Sequence, residues 1–187
     1  MKYLDGVLQR WRIRKARPFI PPGARLLDIG SADGVMFSAL GSHIAGGIGI
    51  DPTLPENQTF GNCSLIRGIF PRDLPPMEPF DAITMLAVLE HIPAHHYDGL
   101  RQGCLKFLKP GGRVIITVPA PAVDKILVLL QSLRLIDGMS LHEHHGFRVS
   151  QTTEIFASPD FALLKHASFQ LGLNNLFVFE TTRSLAS

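Results

Sequence analysis

The sequence holds only two cysteines, Cys63 and Cys104, in 187 residues. That is too few for a disulfide framework or a four-thiolate zinc site. Free thiols at that density fit a reducing compartment. Charge is also scarce: 18% of residues are charged, and 18 Lys+Arg against 16 Asp+Glu leave a formal net charge of +2. So small a balance gives no reason to expect a polyanion bound across the whole surface. A long apolar run is missing too. The most apolar stretch, Ile126 to Leu130, is followed by Gln131, Ser132 and Arg134, whereas a membrane span needs roughly twenty apolar residues. No apolar stretch follows a basic start, so no signal peptide is read and the cytoplasm is the expected compartment. Repeats and low-complexity tracts are absent. At 45% hydrophobic residues, the chain has the balance of an ordinary globular domain rather than a disordered one. Its length fits one domain.

The sequence then alternates between two periodicities. Leu4, Val7, Leu8 and Trp11 recur at helical spacing, which predicts an N-terminal amphipathic helix. Arg10, Arg12, Arg14, Lys15 and Arg17 crowd its end before Pro18, Pro21, Pro22 and Gly23 stop it. This basic cluster reads either as a solvated helix end that complements the macrodipole or as a site for an anionic substrate or RNA. Strands are expected at Arg25 to Ile29, Ile48 to Asp51, Ser64 to Arg67, Phe80 to Leu86 and Arg113 to Val118. Helices are expected at Gly34 to His43, with Met36, Ala39, Leu40 and the following Ile44 inward, and at Ala94 to Leu108. Further on, Asp124 to Ile136 reads as a helix and Thr152 to Phe156 as a short one. Phe161 to Gln170 and Leu176 to Thr181 read as a hairpin. The whole is an α/β pattern: a doubly wound, mostly parallel Rossmann-like sheet with an antiparallel C-terminal strand and helices on both faces. Within one domain over 1–187, residues 1–23 form a helix and linker and 24–120 a ligand-binding core. Residues 121–160 form a variable region and 161–187 the hairpin.

The informative stretch is Leu26-Leu27-Asp28-Ile29-Gly30-Ser31-Ala32-Asp33-Gly34. It runs from a buried strand through a glycine turn into a helix. Gly30 and Gly34 let the backbone pass close to a ligand. The spacing is Gly-x-x-x-Gly, so it is neither the dinucleotide fingerprint Gly-x-Gly-x-x-Gly nor a P-loop. Carboxylates at Asp28 and Asp33 would repel a pyrophosphate and suit a ligand with positive charge, such as S-adenosylmethionine with its ammonium and sulfonium. The second strand ends at Gly49-Ile50-Asp51, where a carboxylate can accept hydrogen bonds from both ribose hydroxyls.

Two further motifs follow in order: Phe80-Asp81-Ala82-Ile83-Thr84-Met85-Leu86-Ala87-Val88-Leu89-Glu90-His91-Ile92-Pro93, and Leu108-Lys109-Pro110-Gly111-Gly112-Arg113-Val114-Ile115-Ile116-Thr117-Val118-Pro119. With them the chain, over about Arg12 to Glu180, resembles class I S-adenosylmethionine-dependent methyltransferases. The type is the small-molecule one, similar to quinone-biosynthesis methyltransferases. The resemblance implies a seven-stranded sheet and S-adenosyl-L-methionine as cofactor. It sets the methionine part on the loop of Asp28, Gly30, Ser31, Ala32, Asp33 and Gly34, and the ribose on Asp51 beside Pro52. Leu86 and Ala87 line the methionine and face the methyl group. Adenine falls to Gly68, Ile69 and Phe70. Many relatives carry an acid at that point. Here backbone groups and apolar packing replace it, or Asp73 reaches back.

His91 is a candidate general base, since imidazole titrates near ~6.5. The bland alternative is that Glu90 and His91 support the next helix. His142-Glu143-His144-His145 lacks the His-Glu-x-x-His spacing of a zinc helix, so no metal site is expected. His144 and His145 are candidates for substrate contact or catalysis, or for loop packing. The expected reaction is methyl transfer to an O, N or C nucleophile of a small metabolite. The alternatives are a catalytically silent cofactor-binding partner subunit, an RNA methyltransferase, and an NAD-dependent oxidoreductase that lacks its three-glycine turn. A small-molecule acceptor is the expected partner, without a membrane span and with nucleic acid disfavoured. A homodimer is a candidate assembly, and Asp124 to Ile136 is core, lid or dimer contact.

Overall fold

The computed structural model describes residues 2–120, 147–156 and 159–183, with side chains from residue 6 onward. The expected helix at Asp124 to Ile136 and the cluster His142 to His145 lie outside the described residues. Eight strands form one sheet: β1 (Ala24–Ile29), β2 (Ile44–Asp51), β3 (Gln58–Phe60), β4 (Cys63–Arg67), β5 (Phe80–Leu86), β6 (Leu108–Pro119), β7 (Phe161–Phe169) and β8 (Asn174–Thr181). Their spatial order is β3-β4-β2-β1-β5-β6-β8-β7. Strands β4, β2, β1, β5 and β6 are parallel. β8 runs antiparallel between β6 and β7.

Seven strands were expected, and the eighth is β3. It occupies the loop before β4 and pairs antiparallel through Thr59↔Ser64. All three of its residues are exposed, so no burial pattern marked it in the sequence.

The central strands are apolar on both faces, as parallel strands buried between helical layers must be. Successive side chains point to opposite sides. Leu27, Ile83, Val114, Ile116, Phe177 and Phe179 enter one core with Leu100, Cys104 and Phe107 of helix α3 (Tyr97–Phe107). Leu26, Ala82, Ile115, Leu176 and Val178 enter the other, against α1 (Lys2–Ala16) and α2 (Val35–Leu40). Helix α4 (Gln151–Ile155) follows later in the chain.

Two expectations about helix faces are corrected. In α2 the buried residues are Met36, Phe37 and Leu40, while Ala39 is exposed. The helix itself is one and a half turns long, ending at Gly41. In α1, of the stripe Leu4, Val7, Leu8 and Trp11, Val7 and Trp11 are exposed and Leu8 is half-buried, while Ile13 and Ala16 are the buried pair. Period alone locates an apolar stripe. Which face is buried depends on what the sheet offers, and here Ile13 and Ala16 meet it.

From β1 the chain passes outward to β2 and β4, then returns to β5 on the other side of β1 and continues to β6. The strand order therefore reverses between β1 and β5. A crevice opens there beyond the carboxyl ends of the strands, where ligands of open α/β sheets bind.

Candidate functional site

At that reversal the first strand ends in Asp28 and the chain turns sharply. Gly30 has φ +74°, and a Cβ built on it would run into the Val88 side chain. Only glycine meets both conditions. Its N–H donates to Ile50 O at 2.9 Å, which ties the turn to β2. Ala32 also has positive φ, +43°, and so does Ala87 after β5, at +60°. Non-glycine residues in this region cost about 1–3 kcal/mol and persist where surroundings impose them. Both sit at the switch point, one on each side.

Asp51 is what holds the first loop. Its Oδ2 accepts from Ala32 N at 2.9 Å. Its Oδ1 accepts from Thr53 N at 2.8 Å and Thr53 Oγ1 at 2.6 Å. The side chain is buried, so it is less open than an acid pointing freely into a cleft. A carboxylate has about four acceptor sites, which leaves capacity for a further donor.

Asp28 is buried and accepts from Thr84 Oγ1 at 2.6 Å. Burial pushes its carboxyl up to about 7; the Thr84 hydrogen bond pulls the other way, and the Asp51 charge adds to the rise. A buried acid poised near neutrality is a place where an ammonium group would be welcome.

Two clefts meet at Gly30. The larger, of about 480 Å³, has Pro52, Gly68, Ile69 and Phe70 on one wall and Val88, His91, Ile92 and His96 on the other. The smaller, of about 30 Å³, is lined by Asp28, Ser31 and Leu86, with Gln9, Arg12, Ile13 and Met36 closing it. The sequence-predicted residues therefore divide. Gly68, Ile69, Phe70, Pro52 and His91 gather at the wide side, and Asp28, Ser31 and Leu86 at the narrow side. Ala32, Asp33, Gly34, Asp51 and Ala87 line neither cleft. Asp33 Oδ1 instead accepts from Val35 N at 3.3 Å, at the start of α2, and Ala87 N donates to Thr117 O at 2.8 Å. Ser31 Oγ is buried with no hydrogen-bond partner among the described residues.

Two side chains at the narrow cleft escaped the sequence reading as site residues. Gln9 and Arg12 reach the narrow cleft from α1, and Arg12 Nε also donates to Asn174 Oδ1 at 3.4 Å. The signal was the basic cluster, but it was read as a unit, and only Arg12 faces inward. Asp73 does turn back toward Gly68. Its Oδ2 accepts from Ile69 N at 2.8 Å, and a Cβ on Gly68 would come within 2.6 Å of Asp73 Cβ. Hydrogen bonds from Arg72 and from Ile69 N hold the Asp73 carboxyl down at about 2. The narrow end thus offers a buried carboxyl at Asp28 and a cation at Arg12, and the wide end an apolar slot.

A family model described as a methyltransferase domain matches residues 2–181. The mouse mitochondrial ubiquinone biosynthesis O-methyltransferase is 30% identical over 111 residues, covering 51% of this chain. The chain spans 28% of the length of that curated relative. Among solved structures, the N-methyltransferase NodS of Bradyrhizobium japonicum aligns with a TM-score of 0.67 at 15% identity, covering 96% of this chain and 99% of that one. A Burkholderia thailandensis 1,6-didemethyltoxoflavin N1-methyltransferase, solved with its acceptor and S-adenosylhomocysteine, aligns at 0.68 and 17% identity, covering 92% of this chain and 79% of that one. At such identities the structural likeness speaks for the fold.

Proposed function

This chain belongs to the methyltransferase-domain family, and on that premise we propose that it transfers a methyl group from S-adenosylmethionine to an O, N or C nucleophile of a small molecule. The observation that carries the reading is the junction at Gly30. There, a narrow cleft with a buried carboxyl and an arginine joins an apolar cleft of nucleoside size. An amino-acid group joined to a nucleoside has that division of chemistry. Bound there, the cofactor supplies an electrophilic methyl on a sulfonium.

In this reading Asp28 faces the ammonium and Arg12 the carboxylate. Asp51 keeps its loop bonds and uses remaining acceptor capacity for the ribose. Ile69 and Phe70 pack on the adenine, and Asp73 holds that loop by its grip on Ile69 N. Leu86 borders the methyl. Proximity and alignment then supply much of the acceleration. His91, His144 and His145 are the candidates for a base or acceptor contact. No helix among the described residues is long and apolar enough to cross a membrane. The buried free thiols of Cys63 and Cys104 support a reducing compartment, and we assign the protein to the cytoplasm.

Calorimetric titration with S-adenosylhomocysteine, methylthioadenosine and NAD tests the cofactor. We expect binding in that order of strength, with NAD silent. NAD binding without S-adenosylhomocysteine binding would overturn the reading.

A further inference from the structure

Helix α1 carries two chemistries on two faces. Its inner face brings Arg12 and Gln9 to the narrow cleft and Ile13 and Ala16 to the core. Its outer face shows Val7 and Trp11, one turn apart and 40% and 44% exposed. Arg10, Arg14 and Lys15 flank them, all exposed, and Arg17 follows. No acid lies between Asp5 and Asp28, while six of the chain's eighteen basic residues do. None of Arg10, Arg14, Lys15 and Arg17 forms an ion pair among the described residues.

A second apolar group stands at the same edge of the sheet. Asn174, at the start of β8, pairs with Pro119 at the carboxyl end of β6, so the β7–β8 turn projects where the clefts open. At its tip Leu171 is fully exposed, with φ +56°. A leucine in the left-handed region is uncommon, and it gains no packing there in return. The turn is bound to α1 through the contact of Arg12 with Asn174 and through Phe169 and Leu176, which share a core with Ile13.

We propose that this rim docks on an anionic lipid surface. Trp11, Val7 and Leu171 would enter the headgroup boundary, and Arg10, Arg14 and Lys15 would meet lipid phosphates. The charges are complementary, and the pairing of an aromatic with aliphatic side chains and basic flanks is what interfacial helices use. A nucleic acid would satisfy the arginines but has no use for an exposed Val7 and Leu171. Docked this way, the narrow cleft lies one helix diameter from the headgroups, about 10–12 Å. The proposal stands apart from the cofactor reading, because it uses the opposite face of the helix.

Trp11 is the only tryptophan in the chain, so its fluorescence reports the contact directly. The whole protein is mixed with vesicles of phosphatidylcholine, alone or with an equal part of phosphatidylglycerol. We expect a blue shift of Trp11 emission and co-sedimentation with the anionic vesicles only, both reversed by salt of about 1 M, where the screening length falls to about 3 Å. The double variant R10E/R14E should partition at least about tenfold more weakly. Leu171→Ser should weaken it several-fold, with circular dichroism and S-adenosylhomocysteine affinity unchanged in both. No shift and no co-sedimentation would overturn the proposal. So would equal binding to neutral vesicles, a shift produced by single-stranded RNA instead of lipid, or a lipid-independent shift that follows protein concentration and a dimer in light scattering.

Discussion

The two ends of the site are built from different parts of the chain and by different rules. The wide end is made of strand-end loops: Gly68 to Phe70 after β4, and Val88 to His96 after β5. Its walls are mostly apolar, and it is roomy. The narrow end is made where a helix is laid against a strand end, and its two charged groups are 16 residues apart in sequence, Arg12 on α1 and Asp28 on β1. Apolar walls recognise by shape and tolerate small changes. A buried acid and an arginine lining one cleft recognise charge. Under the proposed function, specificity divides accordingly: the wide end would take a flat apolar group, and the narrow end would select what that group is attached to.

The largest loss is expected from a change at the point the two ends share. Gly30→Ala places a methyl against Val88 in a left-handed residue, and should cost about 1–3 kcal/mol of stability. S-adenosylhomocysteine and methylthioadenosine binding should both be lost, as read by calorimetry, with chemical denaturation for the stability. Asp51→Ala comes next. Hydrogen bonds to a charged group are worth roughly 1.5–3 kcal/mol, so S-adenosylhomocysteine affinity should fall at least about tenfold. Because Ala32 N and Thr53 also lose their acceptor, the variant should be less stable as well, which a thermal melt will show. Arg12→Ala sharpens the contrast. It should weaken S-adenosylhomocysteine about tenfold and leave methylthioadenosine, which has no carboxylate, unchanged. An equal loss for both ligands would remove Arg12 from the narrow end's chemistry.

The pH profile gives a smaller effect with a definite sign. Burial raises the Asp28 carboxyl from 3.8 to about 7 in the folded protein, so between those values the native state holds a proton that the unfolded chain has released. The stability contributed is full below the unfolded value and is lost as pH rises through about 7. Asp28→Asn should therefore remove this slope from denaturation curves, with the variant gaining on wild type as pH rises. Affinity for S-adenosylhomocysteine should move the other way in wild type and rise several-fold between about pH 6 and 8, as the ionised carboxylate becomes available to the ammonium. The smallest effect is expected at His91, on the wide wall. His91→Ala should change cofactor affinity by only a few-fold; a loss of about 10²–10⁴ in turnover at saturating cofactor would instead make it a general base.

Much of the wide end was legible in the sequence, because strand-end loops follow from periodicity and glycine spacing. The succession of strands follows from apolar runs of known period, whereas the assignment of Gly68 to Phe70 rests on the methyltransferase resemblance. The narrow end was half legible. Asp28 stands inside a glycine motif, but Arg12 stands in a basic cluster whose members differ only in which way a helix is turned. That rotation is set by Ile13 and Ala16 meeting the sheet, a tertiary fit that the apolar spacing of Leu4, Val7, Leu8 and Trp11 does not reveal. β3 was missed for a related reason: an exposed edge strand of three residues carries no alternation. Asp73 was seen as a candidate to reach back, yet what it grips, the Ile69 amide, follows from a backbone path that sequence does not reveal.

The way α1 is attached has a consequence for how the protein loses competence. The five parallel strands are laced together by backbone ladders, but α1 is held by a few side chains, chiefly Ile13 and Ala16, with Arg12 reaching over to Asn174. A segment held so lightly is a natural unit of partial unfolding, opening at a lower free energy than the sheet. Amide exchange over residues 6–16 should then run ahead of exchange in β1 and β5, and ligand should slow it. In such a molecule the narrow cleft should open before the sheet does, and ligand that bridges α1 and β1 should leave more slowly wherever α1 is held more tightly.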